Sequence, residues 1–202
     1  MSRPFQLRTE RLVLRHLTLD DLDALQAVLG DAETMRYYPA PFTKDATRAW
    51  IERSIERYAL DGHALFAVTL RDTGELIGDC GPARMLIEER DEVELGWHIR
   101  RDQWNRGFAT EAARASRDWA LDQLGEPRLV SLVRPENRAS CRVAEKMGMT
   151  VDHDLDYKGL QHHLYVLTAD RRIDPGGGEA TFSIAAQIHW MAPVVRVARR
   201  TP

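Results

Sequence analysis

Only two cysteines occur in the 202 residues, Cys80 and Cys141, and they stand in unrelated contexts without metal-ligand spacing. That gives no basis for a disulfide framework or a zinc site, so both read as small side chains of the buried type and no metal is expected. The sequence also lacks a long apolar run. Its first residues, Met1-Ser2-Arg3-Pro4-Phe5, do not begin a signal peptide, and no later stretch is long and apolar enough to span a bilayer. The expected setting is the cytoplasm, without membrane contact. Nor is there a surplus of one charge: 28 Lys and Arg stand against 31 Asp and Glu, interspersed, for a net charge of -3. Such a chain is not a general nucleic-acid binder held by phosphate contacts, and any anion site in it has to be local. No internal repeat is visible.

What is present is an ordinary globular composition, 44% apolar and 29% charged, in a length that suits one domain with a substantial core. Residues 1–170 read as that domain. From residue 171 the character changes: Asp174-Pro175-Gly176-Gly177-Gly178 is a linker-like break, and the residues beyond it have no clear amphipathic register. Residues 171–202 are therefore expected to be a poorly ordered tail. Phe182, Ile184, Ile188 and Trp190 are unusual in a solvated tail, which leaves docking on the domain or on a partner as the competing reading.

Hydrophobic periodicity orders the elements. Arg11-Leu12-Val13-Leu14-Arg15 reads as a strand; Thr18 and Asp21 form a variant capping box before a helix with Leu22, Leu25 and Leu29 on one side. Thr43 caps a second helix that runs to Gly62, and Tyr37-Tyr38-Pro39-Ala40-Pro41-Phe42 between them is a loop that either covers the core or lines a pocket. Leu65 to Leu70 and Leu76 to Gly78 form a hairpin across Asp72-Thr73-Gly74. The charged stretch Glu88-Glu89-Arg90-Asp91 separates it from the strand Glu92 to Ile99, in which Glu94 and His98 share one face and Leu95, Trp97 and Ile99 the other. A helix from Thr110 to Leu124, a strand from Leu129 to Val133, a helix from Asn137 to Gly148 and two strands around Lys158-Gly159 complete the order. This is the pattern of one α/β fold, a mixed sheet with helices packed on it.

Chemistry concentrates where the Glu92 to Ile99 strand ends, a basic turn comes next and a helix begins. Helix-start amides, the positive end of the helix dipole and nearby arginines favour a phosphate there, and Gly107 admits a close backbone approach. The bland reading, a strand-to-helix turn with solvated arginines, stands beside it with about equal weight on these residues alone.

Three segments in this order resemble the GNAT acetyltransferases, and within them the branch that contains ribosomal-protein alanine N-acetyltransferases. They are Glu94-Leu95-Gly96-Trp97-His98-Ile99, then Trp104-Asn105-Arg106-Gly107-Phe108-Ala109-Thr110-Glu111-Ala112, then Asn137-Arg138-Ala139-Ser140 leading to Glu145-Lys146-Met147-Gly148-Met149. The resemblance runs from Leu7 to Asp170. It departs from the usual pyrophosphate motif at Trp104, where Gln or Arg is customary, and at Asn105, where glycine is frequent. It implies a mostly antiparallel central sheet splayed between two parallel strands, helices on both faces, and acetyl-CoA as cosubstrate. Main-chain groups around Ile99, in Trp97-His98-Ile99, would pair with the pantetheine arm as an added strand does. Asn105, Arg106, Gly107, Phe108, Ala109 and Thr110 would wrap the pyrophosphate and Asn137 would meet the arm. Arg142 and Arg101 would reach the other phosphates, with a solvated surface role as the competing reading for each.

The implied reaction is direct attack of a primary amine on acetyl-CoA in a ternary complex. A lysine-type amine, with a reference pKa of about 10.4, needs a base to become a nucleophile. Glu94 is the first candidate, acting through one water; an orienting or ion-pairing role competes with it, and Glu92, Asp79 and His98 rank behind. A main-chain N–H near Ile99 would hold the oxyanion. Ser140 would protonate the leaving thiolate, unless it only completes the cap at Asn137. His162 and His163 read as surface histidines. The rival classes are a non-catalytic acyl-CoA-binding sensor, and a structural or toxin-partner role in which the tail recruits another protein. The acceptor, whether a protein amino terminus, a lysine, a polyamine, an amino acid or an antibiotic amine, is not readable, and a homodimer is left open.

Overall fold

A computed structural model of the chain describes residues 5–171, so the expected tail and its apolar residues lie outside the described residues. The strands are β1 (Gln6–Arg8), β2 (Leu12–Arg15), β3 (Phe66–Leu70), β4 (Leu76–Ile87), β5 (Arg90–Ile99), β6 (Arg128–Val133), β7 (Thr150–Tyr157) and β8 (Leu160–Thr168). The helices are α1 (Leu22–Leu29), α2 (Lys44–Leu60), α3 (Phe108–Trp119) and α4 (Arg138–Lys146). The strands form one sheet in the order β1-β2-β3-β4-β5-β6-β8-β7. Every neighbouring pair is antiparallel except β5 and β6, which run parallel.

Alternate residues of β3 show why the helices lie on both faces. Phe66 and Val68 join the cluster that contains Ala112 and Ala113 of α3 and Ala144 of α4. Ala67 instead joins Leu25, Val28 and Leu29 of α1 and Ile51 of α2. A strand's side chains alternate across the sheet, so one strand feeds both layers. The small residues of α3 let it lie close on the sheet. Arg117, only 3% exposed, donates to the Met147 carbonyl at 2.8 Å, and Arg114 to the Lys146 carbonyl at 3.1 Å. These cations satisfy the open carbonyl end of α4 and fasten it to α3.

The structure extends the expected elements in three places. The stretch Glu88-Glu89-Arg90-Asp91 is not a separator: Glu88 and Glu89, at φ 47° and 63°, make a two-residue hairpin turn, and Arg90 already pairs with Ile87. β4 therefore runs well past Gly78, through Gly81 and Pro82. Pro82 is tolerated because it pairs with Leu95, whose main-chain groups face away from it, and its carbonyl lies 2.9 Å from His63 Nδ1. Finally, α3 begins at Phe108 rather than Thr110, with Gly107 as its cap at φ 83°, and ends in a π-helical turn, Ala120–Leu124. The short edge strand β1 carried too few residues for a periodic signal.

Candidate active site

The parallel pair β5 and β6 touches in register at one position, Glu94 opposite Val130, and parts beyond it. Arg100 donates its N–H to the Ile77 carbonyl at 2.8 Å, which fixes the alternation along β5. His98, Gly96 and Glu94 turn their main-chain groups toward β4; Ile99, Trp97 and Leu95 turn theirs toward the seam. At the seam's closed end the Leu95 carbonyl accepts from Ser131 Oγ at 2.7 Å. At its open end the Ile99 carbonyl accepts from Trp104 Nε1 at 2.6 Å. Between these two, the main-chain groups of Trp97 and the Ile99 N–H have no strand partner among the described residues. Of the two main-chain groups of Ile99, the carbonyl is held by Trp104 and the N–H is what remains. The Trp104 departure also gains a reason, since an indole donor at this point ties the strand end to the turn after it.

Among the described residues, the turn after β5 leaves its amides without a protein partner. No protein group among the described residues takes the N–H of Asn105, Arg106, Gly107, Phe108, Ala109 or Thr110; the next amide, of Glu111, returns to the Gly107 carbonyl at 3.0 Å. Asn105 stands at φ 60°, the left-handed region in which asparagine is the side chain best tolerated after glycine. That accounts for asparagine at a position where the resemblance would place glycine. The turn is clamped from β2's approach. Glu111 accepts from Thr9 Oγ1 at 2.5 Å, from the Arg11 N–H at 2.9 Å and from Arg11 Nε at 2.7 Å, while Arg11 Nη1 donates to the Arg106 carbonyl at 2.9 Å. The guanidinium groups of Arg11 and Arg106 both lie over the Phe108 ring. Burial pushes the Glu111 carboxyl up, yet these donors outweigh it and leave the group below the usual carboxylate range.

The two faces of β5 carry different chemistry. On the α4 face, Trp97 Nε1 reaches across to Ser140 Oγ at 3.3 Å. Asn137 Oδ1 accepts the Ser140 N–H at 3.2 Å, so the cap uses Ser140's main chain and leaves its hydroxyl hydrogen uncommitted. Arg142 is exposed on α4, and Arg101, also exposed, lies 3.8 Å from Asp31.

On the other face, Glu94 leans over Gly96, and burial pushes its carboxyl up to about 7 against the pull of His98 and the Leu132 N–H. Glu92 is held by Arg128 Nε at 3.1 and 3.2 Å, which removes it as a free base. Asp79, fully buried, spends both oxygens on His98 and Trp50. His162 and His163 lie on β8, where the His163 ring contacts Asp154.

The residues that sequence reasoning undervalued are in the loop before α2. Tyr38 Oη lies 2.7 Å from His98 Nε2, and Tyr37 Oη donates to the Glu136 carbonyl at 3.2 Å. The two tyrosines therefore span from β5 to the junction of β6 and α4, over the open end of the seam. Their adjacency in a proline-containing loop was the only signal, and it could not name a partner 60 positions away. Among the described residues no group of three or more His, Cys, Asp and Glu side chains is arranged to hold a metal ion, and no helix is long and apolar enough to cross a membrane.

The chain is similar in sequence and fold to known proteins. The acetyltransferase (GNAT) domain profile matches residues 11–150. The Bacillus licheniformis protein named as the uncharacterized N-acetyltransferase p20 is 32% identical over 173 residues, covering 82% of this chain and 96% of its own. The crystal structure of an acetyltransferase from Agrobacterium tumefaciens superposes with a TM-score of 0.72 at 34% identity, over 83% of this chain and 95% of that one. The ribosomal-protein-S5-alanine acetyltransferase of Vibrio fischeri shares the fold, with a TM-score of 0.66 at 14% identity over 84% of this chain and all of that one.

Proposed function

Because the chain belongs to the GNAT acetyltransferase family, we propose that it transfers the acetyl group of acetyl-CoA to a primary amine by direct attack in a ternary complex. The observation that carries this reading is the juxtaposition of a parted strand pair with a turn whose amides are uncommitted. The residues fit the cosubstrate. Uncommitted N–H groups from Asn105 to Thr110 at a helix start suit a pyrophosphate, and the free main-chain edge at Trp97 suits an amide-bearing arm. Asn137 would meet the same arm and Arg142 would reach one of the other phosphates.

Glu94 removes a proton from the acceptor through one water. A carboxylate poised near 7 is well matched to that task at neutral pH, because it is largely deprotonated just above it yet still binds a proton firmly. The Ile99 N–H holds the developing oxyanion. Ser140, whose oxygen accepts from the Trp97 indole, directs its own hydrogen at the departing sulfur, which leaves as a thiol, and the serine oxygen takes a proton back from solvent.

The test is release of free thiol from acetyl-CoA over a panel of amines, run beside calorimetric titration with coenzyme A. Turnover on at least one amine with saturable coenzyme A binding is the expected result. Tight binding without turnover on any amine would instead support a sensor, and absence of binding would remove the site.

A further inference from the structure

Tyr38, His98, Asp79 and Trp50 form a chain on the Glu94 face that the proposed transfer steps do not use. Tyr38 Oη lies 2.7 Å from His98 Nε2, His98 Nδ1 lies 2.7 Å from Asp79 Oδ1, and Trp50 Nε1 donates to Asp79 Oδ2 at 2.8 Å. Asp79 is fully buried and His98 is 8% exposed, whereas Tyr38 is 42% exposed and stands beside the Tyr37 bridge at the open end of the seam. One end of the chain is sealed and the other is within reach of a bound molecule.

The donor and acceptor inventory orders the protons. An indole only donates, so Asp79 Oδ2 accepts from Trp50; the other carboxylate oxygen accepts from His98, which fixes a hydrogen on Nδ1. Nε2 is then the ring position at which a proton is gained or lost, and the Tyr38 hydroxyl faces it. The groups that bear on His98 are Asp79 from β4, Glu94 from its own strand and Tyr38 from the loop. Burial pulls the imidazole down, but the charge and hydrogen bond of Asp79, with Glu94 adding, outweigh it, and the net is above the ordinary histidine value. The hydroxyl end of Tyr38, packed on His98, is desolvated although the ring is partly exposed, and this, with the charges of Glu94 and Asp79, holds the phenol well above its ordinary range and so protonated at neutral pH.

We infer that Tyr38 is a second proton-transfer residue of the acetyl-transfer site, handing a proton from the acceptor nitrogen to His98 while Asp79 holds the ring's tautomer. This rests on the acetyltransferase reading. An acceptor that arrives as an ammonium sheds two protons before it is a neutral amide, one before attack and one as the C–N bond closes. One of the two is balanced by the proton that the departing sulfur gains, and the other leaves to solvent. Glu94 receives one. In the relay step the substrate N–H breaks toward the Tyr38 oxygen as the Tyr38 O–H breaks toward Nε2. Tyrosine ends as it began and the imidazole becomes an imidazolium opposite Asp79. After product leaves, the same hydroxyl returns that proton to solvent. Tyr38 is the catalytic residue in this scheme; His98 and Asp79 act through it.

The experiment is a double-mutant cycle on the purified full chain, measured by thiol release at saturating acetyl-CoA with the best amine of the panel. Tyr38→Phe keeps the ring and should lower kcat by about 10- to 100-fold with KM for acetyl-CoA unchanged. His98→Gln should do the same and share its altered kcat–pH profile. The double variant should be no slower than the slower single one, because both cut one relay, while Tyr38→Phe combined with Glu94→Gln should multiply. If His98→Gln does not fold, Asp79→Asn replaces it with the same expectation, since an amide N–H aimed at Nδ1 would move the ring hydrogen to Nε2. Wild-type kcat in Tyr38→Phe, or losses that multiply between Tyr38 and its relay partner, overturns the relay alone. Absence of turnover by the unmodified chain on every amine overturns the relay and the acetyltransferase mechanism together.

Discussion

The Glu94 carboxylate folds back over Gly96, two residues along its own strand: a Cβ built on Gly96 would stand 3.1 Å from Glu94 Oε2 and 3.5 Å from Leu65 Cδ2. The backbone there does not require glycine, so the space is what glycine provides. Gly96→Ala should therefore fold with little loss of stability yet displace the carboxylate by a few tenths of an ångström. We expect kcat to fall roughly tenfold, in line with the sensitivity of reacting groups to small misplacements, while coenzyme A affinity stays as it was. Steady-state kinetics with calorimetry checks both, and an unchanged kcat would free Glu94 from the chemistry.

Glu94 also sets a pH dependence. Its folded carboxyl is raised to about 7, so the fraction available as a base grows as pH rises through that value. Activity should climb as pH rises through 7, and the deficit of Glu94→Gln should widen over the same interval. Stability runs the other way: a raised carboxyl binds its proton more firmly folded than unfolded, so its contribution is full below the unfolded value and lost as pH rises through 7. Glu94→Gln should accordingly gain melting temperature over the wild type from pH 5 to pH 8. Parallel melting curves at the two pH values would show no such divergence if the carboxyl titrates in its ordinary range.

Gly107 caps α3 at φ 83°, and a Cβ there would meet Arg11 Nη2 at 3.4 Å. Gly107→Ala carries mainly the left-handed penalty, about 1 kcal/mol. Gly107→Glu adds an anion where a diphosphate is proposed to sit. It should weaken coenzyme A at least about tenfold more than alanine does, about 1.4 kcal/mol, as calorimetry would read it. Equal affinities in the two variants would argue for a ligand elsewhere.

Glu111 holds Thr9, the Arg11 amide and the Arg11 guanidinium at once. Its folded carboxyl is depressed, so its stabilisation is present above the unfolded value and disappears as pH falls through the folded one. Glu111→Ala should cost about 1–3 kcal/mol at neutral pH, because it leaves Thr9 and Arg11 donors without their acceptor. Urea melts at pH 7 and pH 3 should show the gap closing in acid.

Much of the scaffold was legible from local pattern. The alternation from Glu92 to Ile99, the Thr43 and Asn137 caps and the Gly148 stop all express preferences that act within a few residues, and the structure carries each of them. The rest needed distance. Gly81 and Pro82 disguised the second half of β4, because their tolerance depends on which way Leu95 faces. Glu88 and Glu89 adopt a turn conformation that glutamate seldom takes. The parting of β5 from β6 follows from no property of either strand and was expected through family resemblance alone. Tyr38 meeting His98 depends on a loop folded under a sheet, and Asp79 drew notice only as one carboxylate among several.

A sheet joined across its middle at one register position is mechanically two plates, with α3 and the arginines it sends to the tail of α4 as their hinge. Whatever lodges between the plates becomes a strut, bearing load that no hydrogen bond among the described residues carries there. Amides of β6 and β8 should then exchange with solvent far more slowly in the presence of coenzyme A than in its absence, while those of β2 and β3, on the other plate's far side, barely register it.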